Sequence, residues 1–266
     1  MGNEKSIPTI ERTIEKADHE HTFRHEHNDQ CNAVVCLLAE GAVDSDWTFS
    51  CMMFNKASSS MLHAGLPKVE IEYRTGNLLA GCPDTAMIVH ACNCRGVWGA
   101  GVAAQLEKQY PDAFKAHQKY CHQEDNDDLG RSMAIFHSGP TIGCLFTRAG
   151  YGQPTEREKN IGYETAVLQA TETAMTSMLE GMSKQLQSGD TRFKKITEIR
   201  MPMINNGNFG IPWAKTANVL TGITMPAPLQ HLNPIIVYRF EPTQPIPIPG
   251  QERAPENMLL AGMQNP

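Results

Sequence analysis

Two glycine-rich loops carry the residues in this chain whose types and spacing fit chemistry. The first runs HACNCRGVWGAGVAA from His90 to Ala104, and the second is NNGNFG from Asn205 to Gly210. Gly96, Gly99 and Gly101 lead directly into a segment with helical spacing. Backbone N–H groups at a helix start lack intrahelical partners, and the helix dipole favours negative charge there. Glycine lets a phosphate come close to those N–H groups. The second loop adds flexible backbone donors, the amides of Asn205, Asn206 and Asn208, and one aromatic ring. Two such loops side by side point to a diphosphate with sugars on either side, Phe209 offering its face to a ribose. Either loop alone also fits a tight turn packed on a sheet.

Other constellations compete for attention. His90, Cys92 and Cys94 alternate, which suits three zinc ligands or simply the core face of a strand. His90 is the only histidine next to the loops, so it is the candidate general acid or base. No cysteine has an arginine six positions later, which removes a cysteine-phosphatase loop and argues against Cys92 as a nucleophile. GAGVAA (99–104) fits a dinucleotide fingerprint, but residues 93–98 separate it from the preceding strand and a second helical segment follows. Asp44-Ser45-Asp46-Trp47-Thr48 matches the signature of magnesium-dependent aspartyl-phosphate phosphatases, yet Glu40 and Gly41 break the apolar run that should precede it.

Alternating elements must position the loops. VEIEYR (69–74) alternates as a half-buried strand, and AMIVHA (86–91) suits a strand buried on both faces. A helix is expected from Gly101, a second from Pro111, strands over SMAIFH and TIGCLFT, and one long helix from Ile161 to Gln187. KKITEIRMPMI reads as a strand, WAKTANVL as a short helix and IIVYRF as a last strand. This alternation implies an α/β fold with helices on both faces of a sheet, where ligands sit beyond the carboxyl ends of the strands.

The 266 residues carry 23 Lys+Arg against 29 Asp+Glu, a net charge of −6, which argues against nonspecific binding to nucleic acid or anionic membrane. The apolar runs are far short of the roughly 20 residues a membrane span needs, and no apolar signal core opens the chain. Eight cysteines form no C-x-x-C pair, so reduced thiols in the cytosol or nucleus are expected. Residues 1–66 read as a partly disordered extension. Its polar start holds four of the ten histidines (His19, His21, His25, His27), a metal tract or, preferably, a solvated segment. AVVCLL and WTFSCMMF within it could add a strand or helix, and SSSMLHAGLP reads as a linker. The domain is expected over 67–242, followed by a proline-rich tail over 243–266.

Taken together, Gly76-Asn77-Leu78 at a strand end, HACN-C-x-G-x-WGAGVA, the strand CLFT and MPMINNGNFGIPW resemble a macro domain, nearest the fungal ADP-ribose 1''-phosphate phosphatases, over roughly 68–242. The resemblance implies a three-layer α/β/α sandwich with a central mixed sheet. It implies hydrolysis of ADP-ribose 1''-phosphate, a by-product of tRNA splicing in fungi, with no metal or other cofactor. His90 and Asn93 are the implied catalytic residues. The implied substrate-binding set is Gly76, Asn77, Leu78, Ala91, Cys92, Trp98, Gly99, Ala100, Gly101, Val102, Ala103, Ile204, Asn205, Asn206, Gly207, Asn208, Phe209 and Gly210. Asn77 stands where most macro domains place an aspartate on the adenine amino group, which implies softer adenine recognition. Removal of ADP-ribose from protein glutamate or aspartate, with ADP-ribosylated proteins as partners, and noncatalytic binding are the alternatives. The glycohydrolase branch uses a lysine after the CLFT-like strand and an aspartate in the second loop, where this chain has Arg148 and Phe209.

Overall fold

From Val69 onward the apolar runs and helical segments become, in a computed structural model, part of a 10-stranded sheet with helices on both faces. The structure describes residues 10–12, 22–28, 33–39, 49–54, 65–122 and 128–239. The strands are β1 (Ile10–Arg12), β2 (Thr22–Asn28), β3 (Ala33–Ala39), β4 (Phe49–Phe54), β5 (Ile71–Thr75), β6 (Ala86–Asn93), β7 (Ser132–Phe136), β8 (Thr141–Arg148), β9 (Glu198–Pro202) and β10 (Ile235–Arg239). The helices are α1 (Gly101–Gln109), α2 (Pro111–Cys121), α3 (Glu156–Ile161), α4 (Tyr163–Gln187), α5 (Thr191–Lys194) and α6 (Trp213–Gly222). Spatial order across the sheet is β1-β2-β3-β4-β7-β8-β6-β9-β10-β5. Pairs from β8 through β6, β9 and β10 to β5 are parallel, and the remainder are antiparallel, so the sheet is mixed.

Strand alternation divides the core. Met87 and Val89 of β6 pack with Met175, Met178 and Leu220 from α4 and α6. Ile88 and Cys92 of the same strand pack with Leu106, Ala113 and Ala116 from α1 and α2. The sheet is thus the middle layer of three. The parallel strands β6, β8 and β9 end at residues 93, 148 and 202, and the glycine-rich loops leave from the first and last of these.

Residues expected as an appended extension contribute strands. β4 pairs antiparallel with β7, Met52 opposite Ala134, and its Met52 and Phe54 are buried in the core under α4. Helix α4 comes so close there that a Cβ on Gly181 would overlap the Phe54 ring. β2, within the stretch expected to be solvated, pairs with β3, because antiparallel pairing needs only backbone partners and tolerates polar residues. His19, His21, the Asp44–Thr48 segment and the tail over 243–266 lie outside the described residues. The helix expected from Ile161 to Gln187 starts at Tyr163, because Gly162 at φ +91° ends α3 and turns the chain.

Candidate active site

Both loops open onto one cleft of about 650 Å³. Ala91, Asn93 and Gly99 through Ala103 form one wall, and Ile204, Asn205, Gly207, Asn208 and Phe209 form another. Val97, Arg148, Tyr151, Gly152, Pro202 and Met203 complete it. Helix α1 begins inside the cleft at Gly101, whose φ of +61° is the left-handed region glycine enters without strain. A Cβ on Gly101 or Gly207 would meet nothing within 4 Å, so open space adjoins both backbones.

Each loop is fixed by a buried asparagine. Asn93 Nδ2 donates to the Val97 carbonyl at 2.7 Å, and its Oδ1 accepts from the Arg95 N–H at 2.9 Å. Asn205, at φ +63°, works at longer range. Its Oδ1 accepts from the Thr147 hydroxyl of β8 at 3.0 Å, and its Nδ2 donates to Thr171 Oγ1 of α4 at 2.9 Å. Both amides are therefore committed to shaping backbone. Asn93, expected to orient ribose or water, has its polar atoms turned into its own loop.

The expected role of His90 needs correction. It is fully buried and absent from the cleft lining. Strand parity is the reason: Ala91 and Asn93 face the cleft, so His90 and Cys92 face α1 and α2. There His90 meets the Trp98 ring edge-on at 4.7 Å, and Trp98 packs on His117 at 5.1 Å. Burial, with His90 and His122 nearby, lowers the His117 pKa to about 3. Cys92 and Trp98, expected to touch substrate, are both buried in this layer.

Register sets Cys144 opposite His90, so the cluster is His90, Cys92 and Cys144 rather than one including Cys94. Cys92 Sγ lies 3.7 Å from His90 Nδ1 and 3.4 Å from Nε2. Cys144 Sγ lies 3.7 Å from His90 Nε2, on the same buried layer. Burial and the neighbouring Cys144 hold the Cys92 thiol well above its usual pKa. All three side chains are buried and none lines the cleft.

Gly76, Asn77 and Leu78 also lie outside the cleft lining. Asn77 Oδ1 accepts the Leu79 N–H at 2.9 Å in a local turn, which uses one of the two lone pairs of the acceptor expected for adenine. Asn206 and Gly210 sit in the second loop without lining the cleft, Gly210 closing it by donating to the Gly207 carbonyl at 2.9 Å.

Arg148, at the end of β8, was not among the expected site residues. It is 2% exposed and forms an ion pair with Glu158, Nε to Oε1 at 3.3 Å. Its guanidinium also donates to the Gly152 and Gln153 carbonyls and lies over the Phe209 ring, 5.4 Å from the centroid. Burial pushes the Glu158 carboxyl up, but hydrogen bonds from Arg148, Thr155 and Ala149 outweigh it and hold its pKa below the ordinary value. Glu158 and Thr155 make a capping box for α3, a pattern visible in the run Thr155-Glu156-Arg157-Glu158. Tyr163 hydroxyl donates to the Phe209 carbonyl at 2.6 Å, tying α4 to the second loop. The position of Arg148, at the carboxyl end of a buried strand, is the signal that could have found it.

Comparison with known proteins adds a family likeness. The family model described as Macro domain matches residues 89–220. An ADP-ribose 1''-phosphate phosphatase of Saccharomyces cerevisiae is 31% identical over 160 residues, covering 56% of this chain and 90% of the relative. One of Candida albicans is 32% identical over 157 residues, covering 56% of this chain and 91% of the relative. Among solved structures, the macrodomain of Mycobacterium tuberculosis DarG is 22% identical with a TM-score of 0.45, covering 66% of this chain and 99% of that one.

Proposed function

The chain belongs to the macro-domain family, and from that premise we propose that it is a hydrolase releasing phosphate from ADP-ribose 1''-phosphate. The observation that carries the reading is the single cleft shared by Gly99–Ala103 and Gly207–Phe209. Hydrolysis consumes one water and gives ADP-ribose and inorganic phosphate. The N-terminus of α1 presents unpaired N–H groups and a positive dipole end to the diphosphate. The second loop closes over the other side, and Phe209 packs on the distal ribose. Asn93 and Asn205 hold the two backbones in place.

No carboxylate or imidazole lines the cleft among the described residues. The reaction therefore leans on positioning and on preorganised N–H donors rather than on a strong general acid. A phosphate on an anomeric oxygen suits this: water attacks phosphorus, the P–O bond breaks, and the hemiacetal oxygen that leaves carries negative charge better than an ordinary alkoxide. His90 acts from beneath, as a positioning residue that supports Trp98 and so the first loop. Removal of ADP-ribose from protein glutamate is disfavoured: Arg148 stands in the place of the lysine and is locked in an ion pair.

The partner is a small nucleotide sugar, not nucleic acid, consistent with the net charge of −6. No helix among the described residues is long and apolar enough to cross a membrane. By the family analogy the substrate arises from tRNA splicing, and the enzyme works in the cytoplasm or nucleus. Phosphate release from ADP-ribose 1''-phosphate, with and without chelator, tests the proposal. Turnover unaffected by chelation is expected; ADP-ribose binding without any turnover would make the protein a reader instead.

A further inference from the structure

Resting on the phosphatase reading above, we infer that Arg148 is the residue that distinguishes the phosphorylated substrate from the dephosphorylated product. Substrate and product share adenosine, diphosphate and ribose. They differ by one phosphate monoester, which with a second pKa of about 6 adds roughly 1.5 to 2 negative charges at neutral pH. Backbone N–H groups serve the shared diphosphate in both. Discrimination needs a charge that the extra phosphate alone can meet.

Arg148 is the only residue with a charged side chain among the described residues that line the cleft. Its partner Glu158 is buried but does not line the cleft, so the pair is a dipole with its positive end toward the ligand space. The negative end is further spread by the Thr155 N–H, the Thr155 hydroxyl and the Ala149 N–H, all of which donate to Glu158. The guanidinium is held rigidly, with Nε on Glu158, Nη2 on Glu158 and Gln153, and Nη1 on Gly152. Those four bonds leave one of the five guanidinium N–H groups, on Nη1, for a ligand. At 2% exposure the charge is little screened, and its neighbour Phe209 belongs to the loop assigned to the distal ribose.

The rival role is a brace that holds the wall together, and it predicts equal losses for both ligands. The test compares kcat/KM for ADP-ribose 1''-phosphate with the calorimetric Kd for ADP-ribose in wild type, in R148Q/E158Q and in R148K. The double change avoids leaving Glu158 as an orphan buried charge. In it, kcat/KM should fall about tenfold or more, as loss of one charge-assisted hydrogen bond gives, while Kd moves by less than about threefold. R148K keeps the charge but not the fork, should fall between, and decides the matter by the same ratio if the double variant does not fold. Wild-type KM should rise as pH falls from about 7 to 5 and the monoester gains its second proton; R148Q/E158Q should lack that slope. Parallel losses for both ligands, or an unchanged slope, overturn the inference. A wild type that neither binds ADP-ribose nor releases phosphate overturns the phosphatase reading itself, and this inference with it.

Discussion

The two walls of the cleft reach the same end by different means. The first loop is held locally: the Asn93 amide bonds residues two and four positions on, and the α1 start needs a left-handed glycine at Gly101. The second loop is held from afar. Asn205 occupies the left-handed region itself and anchors to β8 and α4 through Thr147 and Thr171. Gly207 there is free of backbone strain, since its φ is not in that region. The underlayers differ as well. The first loop rests, through Trp98, on His90 and His117; the second rests on hydroxyls. Presenting backbone N–H groups outward thus costs one buried amide per loop, whichever way the amide is anchored.

The largest effects should come from filling the cradles. Gly101→Glu and Gly207→Glu should each weaken ADP-ribose binding by more than about 100-fold, or about 2.7 kcal/mol, measured by calorimetry. They should differ in stability, Gly101→Glu lowering the unfolding free energy by about 1 kcal/mol through its left-handed φ and Gly207→Glu leaving it nearly unchanged. Equal losses of stability would erase the contrast between the loops.

Next come the anchoring amides. Asn205→Ala removes an acceptor from the buried Thr147 hydroxyl and should cost about 2–3 kcal/mol in denaturant unfolding. Asn93→Ala should cost about 1 kcal/mol or less, its partners being within one partly exposed loop, while weakening ADP-ribose by about tenfold. A larger stability loss at Asn93 than at Asn205 would reverse the distinction between local and distant anchoring.

The underlayer gives subtler effects. His90→Gln should reduce kcat and ADP-ribose affinity together, by several-fold each, because it disturbs the loop through Trp98. Loss of kcat alone would return His90 to direct proton transfer. His117 gives a pH signature. Its folded pKa of about 3 lies below the ordinary value, so the unfolded chain binds the extra proton between the two. The His117 contribution to stability should be complete above about pH 6.5 and fall by about 1.4 kcal/mol per pH unit below it, until about pH 3. His117→Phe, which keeps the stack on Phe146, should flatten that part of the profile. An unchanged slope would mean that other groups carry the acid sensitivity.

Much of this was legible in the residues. The buried strand AMIVHA, the helix starting at Gly101 and the two glycine loops all occur where their spacing put them. The parity of β6 was not legible, because AMIVHA is apolar on both faces and nothing in it says which face meets the cleft. That is why His90 read as exposed to substrate. Asn77 and Asn93 read as ligand contacts through the family resemblance alone, and both bond backbone of their own loops. Arg148 read only as a departure from the glycohydrolase lysine, because its place in the cleft depends on β8 ending beside Phe209, a neighbour 61 positions on. The polar strand β2 was hidden by its composition, since pairing with β3 is a backbone matter.

The central claim is that both loops grip one ligand. Backbone amide chemical shifts of the isotope-labelled protein, followed through an ADP-ribose titration, test it most directly. The account predicts that the amides of Gly99–Ala103 and of Gly207–Phe209 move together along one saturation curve. Movement confined to one loop, or separate curves for the two, would contradict it.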